Sequence, residues 1–249
     1  MIRPESFSSI STYNRCKASY KAKYIDKMEQ QSTIAMERGK EVHEQILKGE
    51  VMTEPVKYAR KYCHKTGKDY FNINNPKQLC QNLYEAKMGL HKVGNSLEFC
   101  DFDSEDCYFR GIADLIVVKY KKTQEIPPTV EIESIEIIDW KTGKSSGDNK
   151  QLKCYTLMVY KMLGVSDIIS KFVYLDKEKE SKEYIFTVDD IKAWEEELIK
   201  TVESIRIEEN YEPCVGWYCS FCPCKDSCDA KLPLEEKIPG TFLSKILGD

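Results

Sequence analysis

The sequence predicts an α/β fold in which helices flank a mixed β-sheet. Two apolar runs, over residues 111–118 and 135–140, are rich in isoleucine and valine and are typical of buried strands. Apolar residues at helical spacing indicate a long helix late in the chain: Ile191, Trp194, Leu198, Val202 and Ile205. Helical patterns precede the strands, one helix lies among them and one follows, which is the element order of a layered α/β protein.

Length and composition fit one domain over residues 1–249 with a sizeable core. Hydrophobic residues make up 41% of the chain and charged residues 31%, as in ordinary globular proteins. No run of 18 apolar residues occurs, so we expect no membrane span. The first ten residues, MIRPESFSSI, lack the apolar run of a secretory signal, and a cytoplasmic location is therefore expected.

Helices are expected first along the chain. Four stretches have helical patterns: Ser8 or Ser9 to Met28, Ile34 to Lys48, Pro55 to Thr66, and Pro76 to His91. The last two would make residues 51–95 a helical insertion. Within the second stretch, Gly39 and His43 share one helix face, and Gly39 permits a close backbone approach one turn before the histidine.

Strands follow, with helices around them. Five stretches are predicted as strands: Asn95–Phe102, Cys107–Lys119, Glu131–Lys141, Ile168–Leu175 and Lys182–Val188. We expect the first two to pair as a hairpin. A loop over Gly143–Asp148 and a helix over Lys150–Leu163 separate the third strand from the fourth, and the last helix begins at Asp189 or Asp190.

Charged residues interrupt two of the apolar strands. Because side chains alternate along a strand, Asp139 and Lys141 lie on one face while Ile138 and Trp140 turn into the packing. Asp114 is the acid in the apolar run GIADLIVV. Burying charges is costly unless they are used or matched. Two acids and a lysine on neighbouring strands can hold a divalent cation; a structural Asp–Lys ion pair is the alternative.

Phosphodiester hydrolysis requires this combination of groups. Mg²⁺ takes hard oxygen ligands and keeps several waters. It polarises the phosphate, lowers the pKa of a bound water and stabilises the leaving oxygen. Lys141 could orient or deprotonate that water.

Four motifs in order resemble the RecB-like branch of the PD-(D/E)XK nucleases. Asp114, followed after 24 residues by Asp139-Trp140-Lys141, resembles the core motif, and Gly111-Ile-Ala-Asp114 resembles its G-x-x-D variant. His43 is similar to the histidine that completes the metal site, although a core histidine is the simpler reading of that residue alone. Gln151 and Tyr155 are similar to the Q-x-x-x-Y helix of this branch.

This resemblance implies a restriction-endonuclease-like core and a Mg²⁺- or Mn²⁺-dependent DNA exonuclease that acts on single-stranded ends. The implied ligands of the cation are these: His43, Asp114, Asp139 and the Trp140 carbonyl. Asp114, Asp139 and Lys141 would be catalytic, and Gln151 and Tyr155 would position the substrate or the lysine. The alternatives are a catalytically silent DNA- or protein-binding module and the nuclease subunit of a helicase–nuclease complex.

Eleven cysteines are many for a cytosolic chain, where clustered cysteines more often bind metal than form disulfides. Cys219, Cys222 and Cys228 lie in the segment 210–230 with the spacing C-x2-C-x5-C. Three thiolates so close together can bind one metal centre, with a fourth from elsewhere. Cys16 is the candidate for the fourth ligand.

One early cysteine and a late C-x2-C-x5-C resemble the iron–sulfur segments of AddB-type nucleases and of the CRISPR-associated RecB-type exonucleases (Cas family four). The resemblance implies a structural [4Fe–4S] cluster that joins the two ends of the domain. Zinc is the alternative metal, and Cys214 and Cys224 are alternative ligands. This family often has proline after the first cysteine, where the chain has Lys17.

The predicted partners are DNA, single-stranded by the resemblance, and integrase or helicase subunits, with no membrane. The net charge of −4 gives no global sign of nucleic acid. Five bases and two tyrosines between Lys57 and Lys68 suit a base-stacking surface or, equally, a solvated helix face. Gly143-Lys144-Ser145 ends like a P-loop, but Ile138 stands where its first glycine should be, so any motor would be a separate chain. CRISPR adaptation, recombination and repair, also in a phage or virus, would share these motifs.

Overall fold

The computed structural model describes residues 3–30, 32–48, 53–62, 80–125, 129–143, 147–228 and 230. Six α-helices lie in these ranges: α1 (Phe7–Arg15), α2 (Lys17–Tyr20), α3 (Ile34–Lys48), α4 (Glu54–Ala59), α5 (Asn149–Leu163) and α6 (Val188–Arg206). A short π-helix covers Lys21–Ile25, and 3₁₀ helices cover Leu175–Lys177 and Trp217–Phe221. Among the described residues, no helix is long and apolar enough to cross a membrane.

Seven strands in the described part of the chain form one sheet: β1 (Cys80–Val93), β2 (Ser96–Cys100), β3 (Cys107–Lys122), β4 (Val130–Lys141), β5 (Ile168–Tyr174), β6 (Lys179–Glu180) and β7 (Tyr184–Ile185). Their order is β2-β1-β3-β4-β5-β6, and β7 also pairs with β5. The β4–β5 pair is parallel and the other pairs are antiparallel. The predicted fold class, a mixed sheet flanked by helices, is therefore confirmed.

Helices cover both faces of the sheet around β4. On one face, a buried apolar cluster joins α3 and α4 to the strands β3, β4 and β5: Val42, Ile46, Val56, Ala59, Leu115, Val117, Ile138, Trp140, Val173 and Leu175. On the other face lies α5, whose Thr156 hydroxyl is 2.9 Å from that of Ser170 on β5. Residues 135–140 are consequently almost all buried, which explains why apolar residues dominate this stretch of the sequence.

The secondary structure of residues 80–93 contradicts one prediction. The helix from Pro76 to His91, and with it the helical insertion 51–95, is wrong for this stretch, which forms strand β1. Glu, Ala, Lys, Met and Leu favour a helix here, but pairing with β2 on one side and β3 on the other overrides that preference. The helix predicted over Pro55–Thr66 is observed as α4, and residues 63–79 lie outside the described part.

The predicted hairpin pairing is also wrong. Strand β2 pairs with β1 through a turn at Gly94, where φ is +60° and glycine is favoured. Strand β3 pairs with the opposite edge of β1, so β1 lies between the two strands that were expected to be neighbours. A hairpin partner before residue 95 was excluded once residues 76–91 had been assigned to a helix.

Most other element boundaries agree with the prediction. The helix Ile34–Lys48 is confirmed, and α5 begins after its N-cap Asp148, whose side chain accepts the Lys150 N–H. The strand predicted over Lys182–Val188 shrinks to Tyr184–Ile185. The first predicted helix is interrupted at Cys16, which caps α2, and its helical stretch ends at Ile25.

The chain divides into two compact units, each built from two segments. Unit 1 comprises residues 1–7 and 32–203 and contains the whole sheet. Unit 2 comprises residues 8–31 and 204–249. The organisation as a single domain over 1–249 stays a prediction.

Within unit 1, the carboxylate of Glu195 on α6 is buried among donors from β2 and α5. Its Oε1 accepts the Leu97 N–H at 2.6 Å and the Ser96 hydroxyl at 2.9 Å, and it pairs with Lys161 Nζ at 2.9 Å. This one carboxylate therefore connects three elements.

We expect Glu195→Ala to lower the free energy of unfolding by about 3 kcal/mol, because it leaves a buried N–H and a lysine unmatched. Urea denaturation followed by circular dichroism measures the change. Glu196→Ala, one residue along α6 and exposed, is the control and should change stability by less than about 0.5 kcal/mol. Equal midpoints for the two variants would contradict this role of Glu195.

Candidate active site

Strands β3 and β4 separate at one end of the sheet, and Asp114 lies where they separate. The last residue pair at this end is Leu115 with Ile138. Beyond it, Asp114 Oδ2 accepts the Trp140 N–H at 2.7 Å, where a backbone carbonyl would otherwise accept it. The carboxylate is therefore fixed to the backbone of β4, one residue away from Asp139.

The regular alternation of side chains along β3 is broken close to Asp114. Odd-numbered residues before and after this point therefore face opposite sides of the sheet. A Cβ on Gly111 would point at α5, 2.7 Å from Met158 Cε and 3.3 Å from Tyr155 Cε1. Leu115, four residues later, packs in the cluster on the opposite face. At this point β1 is irregular too, because Glu85, between the pairs Tyr84–Leu115 and Ala86–Ala113, has a φ of +43°.

The irregularity brings Asp114 to helix α3. His43 Nδ1 lies 3.4 Å from Asp114 Oδ1. Gly39, one turn earlier, faces Thr142, where an added Cβ would lie 3.1 Å from Oγ1. The close approach predicted for Gly39 is therefore present, and it seats α3 against the residues that follow β4.

Asp139, Lys141 and Gln151 form a closed set of contacts. Asp139 is 2% exposed, and its Oδ2 lies 2.6 Å from Lys141 Nζ. Gln151 Nε2 donates to Asp139 Oδ1 at 2.9 Å and to the Tyr155 hydroxyl at 3.0 Å, and Gln151 Oε1 accepts from Lys141 Nζ at 2.9 Å. Because lysine only donates and a carboxylate only accepts, these contacts fix the orientation of the amide. The predicted sharing of a face by Gln151 and Tyr155 is confirmed.

Burial and like charge dominate the electrostatics. Burial and then the charge of Asp114 raise the pKa of Asp139 to about 7, against the opposing effects of Lys141 and His43. Burial, then the charges of Asp139 and Asp114, hold the pKa of Tyr155 well above its usual value. For His43, burial lowers the pKa, but the hydrogen bond and charge of Asp114 outweigh it and the net pKa is raised. Two carboxylates therefore repel each other in a largely dry site.

A divalent cation fits the chemistry of this donor set. Asp139 Oδ2 is buried, and Lys141 reaches it off the direction of a hydrogen bond, so this oxygen has no hydrogen-bond partner among the described residues. A cation near it would offset the repulsion between the two acids. As they stand, the acids face protein donors, and the described ranges contain no group of three or more His, Cys, Asp or Glu arranged to hold an ion.

One acid at the site was missed by the sequence analysis. Glu85 lines an open cleft together with Gly39, His43 and Thr142, and its charge contributes to the raised pKa of His43. A helix over residues 76–91 does not place Glu85 beside Asp114, so the sequence pattern provided no reason to select this residue. In a strand that pairs with β3, Glu85 falls opposite Asp114, and that register was the signal that could have found it.

In its described part, the basic, aromatic stretch after residue 56 has exposed basic residues and partly buried tyrosines. Tyr58 and Tyr62 pack against the core cluster, and the Tyr62 hydroxyl donates to Glu180 at 2.7 Å. Lys57 pairs with Glu54. Residues 57–62 therefore match the solvated helix face, and residues 63–68 lie outside the described part.

The four cysteines predicted to bind a cluster all belong to unit 2. Cys16 is buried, and its Sγ accepts the Ser19 N–H at 3.4 Å and the Cys214 N–H at 3.3 Å. Cys219 Sγ accepts the Gly216 N–H at 3.3 Å. Backbone N–H groups therefore contact the sulfurs of Cys16 and Cys219, but within the described residues the four cysteines are not gathered into a group arranged to hold an ion.

Three comparisons bear on this arrangement. The sequence profile described as the PD-(D/E)XK nuclease superfamily matches residues 4–229. Among solved structures, the chain is similar to a candidate exonuclease from Eubacterium rectale, with 14% identity, 97% of this chain and 92% of that chain covered, and a TM-score of 0.49. It is also similar to the protein SSO0001, with 16% identity, coverage of 94% and 90%, and a TM-score of 0.45. No curated protein matched the chain.

The backbone at Glu85 provides a test of the irregularity. Glycine adopts a positive φ without strain, so Glu85→Gly should keep the free energy of unfolding or raise it by up to about 1 kcal/mol. Lys87→Gly, an exposed position two residues along the same strand, should lower it by about 1 kcal/mol. Chemical denaturation of both variants gives the comparison, and a loss at Glu85 as large as that at Lys87 would show that the position is not strained.

Proposed function

Because the chain belongs to the PD-(D/E)XK nuclease superfamily, we propose that it is a Mg²⁺- or Mn²⁺-dependent DNA exonuclease that acts on single-stranded ends. The observation that carries the proposal is the meeting of Asp114, Asp139 and Lys141 at one end of the sheet, with His43 at 3.4 Å from the first acid. The superfamily accounts for nuclease chemistry and nucleic-acid binding. The exonuclease mode, the single-stranded substrate and the choice of metal rest on the RecB-like motifs.

The acids and the histidine would hold the cation. Asp114 and Asp139 offer the hard oxygens that Mg²⁺ and Mn²⁺ prefer, His43 offers a nitrogen, and the Trp140 carbonyl is the fourth donor that the motif implies. When bound, the cation polarises the phosphate and stabilises the charge that develops on the leaving oxygen.

Lys141 and Gln151 would position the attacking water. Asp139 and Gln151 hold the Lys141 amine at the end of β4, so that the amine can orient or deprotonate a water in line with the phosphorus. Tyr155, kept protonated by its raised pKa, supports the Gln151 amide at 3.0 Å. Gln151 and Tyr155 are positioning residues in this scheme.

The cysteines of unit 2 would hold a [4Fe–4S] cluster through Cys16, Cys219, Cys222 and Cys228, with a structural role. Support comes from the meeting of an early and a late segment in one unit, where the Cys214 N–H reaches Cys16 Sγ. A cross-link between segments about 200 residues apart restricts the unfolded chain over a long loop. CRISPR adaptation, recombination or repair, with an integrase or helicase partner, are settings consistent with this proposal.

Asp139→Asn tests the active site. Removing the charge of a metal ligand should reduce Mn²⁺-dependent degradation of end-labelled single-stranded DNA by roughly 10²–10³-fold. Asp189→Asn, at an exposed acid of the first turn of α6, is the control and should keep full activity. Cleavage by the Asp139 variant at the wild-type rate would end the assignment. DNA binding without cleavage by the wild-type chain in either metal would instead favour the silent module.

Anaerobic purification tests the cluster. We expect a brown protein with a broad visible absorbance and about four irons per chain. Cys228→Ser should lose iron, colour and folded protein, whereas Cys224→Ser, four residues away and outside the proposed ligand set, should keep the iron. One zinc and no iron would establish the alternative metal. Unchanged stability and cleavage after Cys228→Ser would contradict the structural role.

A further inference from the structure

An exposed tryptophan distinguishes unit 2. Trp217, the first residue of the 3₁₀ helix Trp217–Phe221, is 78% exposed, whereas Trp140 and Trp194 in unit 1 are 4% and 7% exposed. Exposing so large an aromatic surface to water is unfavourable, and tryptophan is one of the residues most enriched at the hot spots of binding surfaces. The function proposed above does not use Trp217.

The support under Trp217 is rigid. The Tyr218 hydroxyl lies 3.1 Å from the Arg15 carbonyl and 3.0 Å from the Cys214 carbonyl, so the tyrosine is held to both segments of unit 2. The Trp217 and Tyr218 rings meet edge to face, with centroids 5.9 Å apart. Gly216 lies so close to the Tyr218 ring that an added Cβ would be 2.5 Å from it. The indole therefore projects from a fixed base.

One cation, Arg15, stands beside this aromatic pair, and a second, Lys23, lies near Arg15. The Arg15 guanidinium lies 4.9 Å from the centroid of the Tyr218 ring. Lys23 is close enough to Arg15 that, after burial, the arginine charge is the second cause that lowers the pKa of Lys23. Neither cation forms an ion pair with a carboxylate in the part of the chain that the structure describes. Two like charges held together without an acid would be stabilised by a bound anion.

We propose that the aromatic–cation patch of Arg15, Lys23, Trp217 and Tyr218 binds single-stranded nucleic acid. The phosphates would lie on Arg15 and Lys23, and a base would stack on the indole of Trp217. The proposal deepens the proposed function and rests on it only for the choice of DNA. A duplex hides the faces of its bases, and an acidic peptide would match the cations but leave the indole exposed, so a single strand uses the whole patch.

The experiment measures binding without cleavage. Full-length protein with its metal content intact carries Asp139→Asn as a background, and fluorescence anisotropy follows its binding to labelled dT15, an abasic 15-mer, a 15-base-pair duplex and a polyglutamate peptide. Stacking of one base is worth about 1–3 kcal/mol, so Trp217→Ala should weaken dT15 binding about 5- to 150-fold, leave the abasic strand unchanged, and be rescued by Trp217→Phe. Ile207→Ala, at another position that is 78% exposed in unit 2, should change nothing.

The cations have a separate readout. Arg15→Gln with Lys23→Gln should weaken both the dT15 and the abasic strand and reduce the salt dependence of binding by roughly 1.4 in logarithmic slope. Unchanged dT15 binding after Trp217→Ala, or an equal loss for the duplex or the peptide, would overturn the proposal.

Iron content and cross-linking distinguish a misfolded variant from one that has lost only its binding residue. Trp217 lies two residues before Cys219, so each variant is assayed for iron and for its unfolding midpoint. If Trp217→Ala loses iron, a second experiment tests the proposal: ultraviolet cross-linking of a 5-iododeoxyuridine strand to the Asp139→Asn protein. A cross-link in the peptide that contains Trp217 supports binding at the patch. Cross-links found only in other peptides overturn the proposal. The Asp139→Asn protein should not cleave DNA, so binding and cleavage are tested separately. A negative binding result would leave the nuclease assignment intact. If the nuclease assignment failed instead, binding of single strands to the patch could still be measured.

Discussion

The site depends on a carboxylate that takes the place of a backbone acceptor. Where β3 and β4 separate, Asp114 accepts the N–H of Trp140, and this contact keeps the strand end ordered at the position where pairing stops. The same carboxylate faces His43 with its other oxygen, so the position of α3 and the end of β4 are set by one side chain. A buried N–H would otherwise lack a partner at this point, at a cost of about 1–3 kcal/mol. Asp114 therefore has a structural role, which any test of its proposed chemical role must take into account.

Burial disfavours the charged form of the second acid, Asp139. Asp139 is buried, and its contacts with Lys141 and Gln151 only partly compensate for the loss of water. Its pKa near 7 reflects that deficit and the neighbouring charge of Asp114. A site of this kind stores unfavourable electrostatics that a divalent ion would relieve, which is how perturbed acids often mark functional positions.

Much of the site could be predicted because strand alternation and motif order act locally. Asp139 and Lys141 on one face, Ile138 and Trp140 on the other, and the Gln151–Tyr155 pair follow from periodicities of two and four residues. Strand β1 could not be predicted in this way. Its residues favour a helix, and only partners on both sides, β2 and β3, make it a strand. Glu85 was missed for the same reason, because its place opposite Asp114 exists only through that long-range pairing.

Unit 2 is made of segments from opposite parts of the sequence, and this has a consequence for biosynthesis. Residues 8–31 leave the ribosome long before residues 204–228, with which they share the unit. Cys16 is therefore synthesised before the residues of the sheet and long before Cys219, Cys222 and Cys228, since domains form in the order in which their residues emerge from the ribosome. If unit 2 binds the metal proposed above, loading would have to follow synthesis of residue 228, and a fragment released before that point would carry β3 and β4 without the proposed ligands Cys219, Cys222 and Cys228.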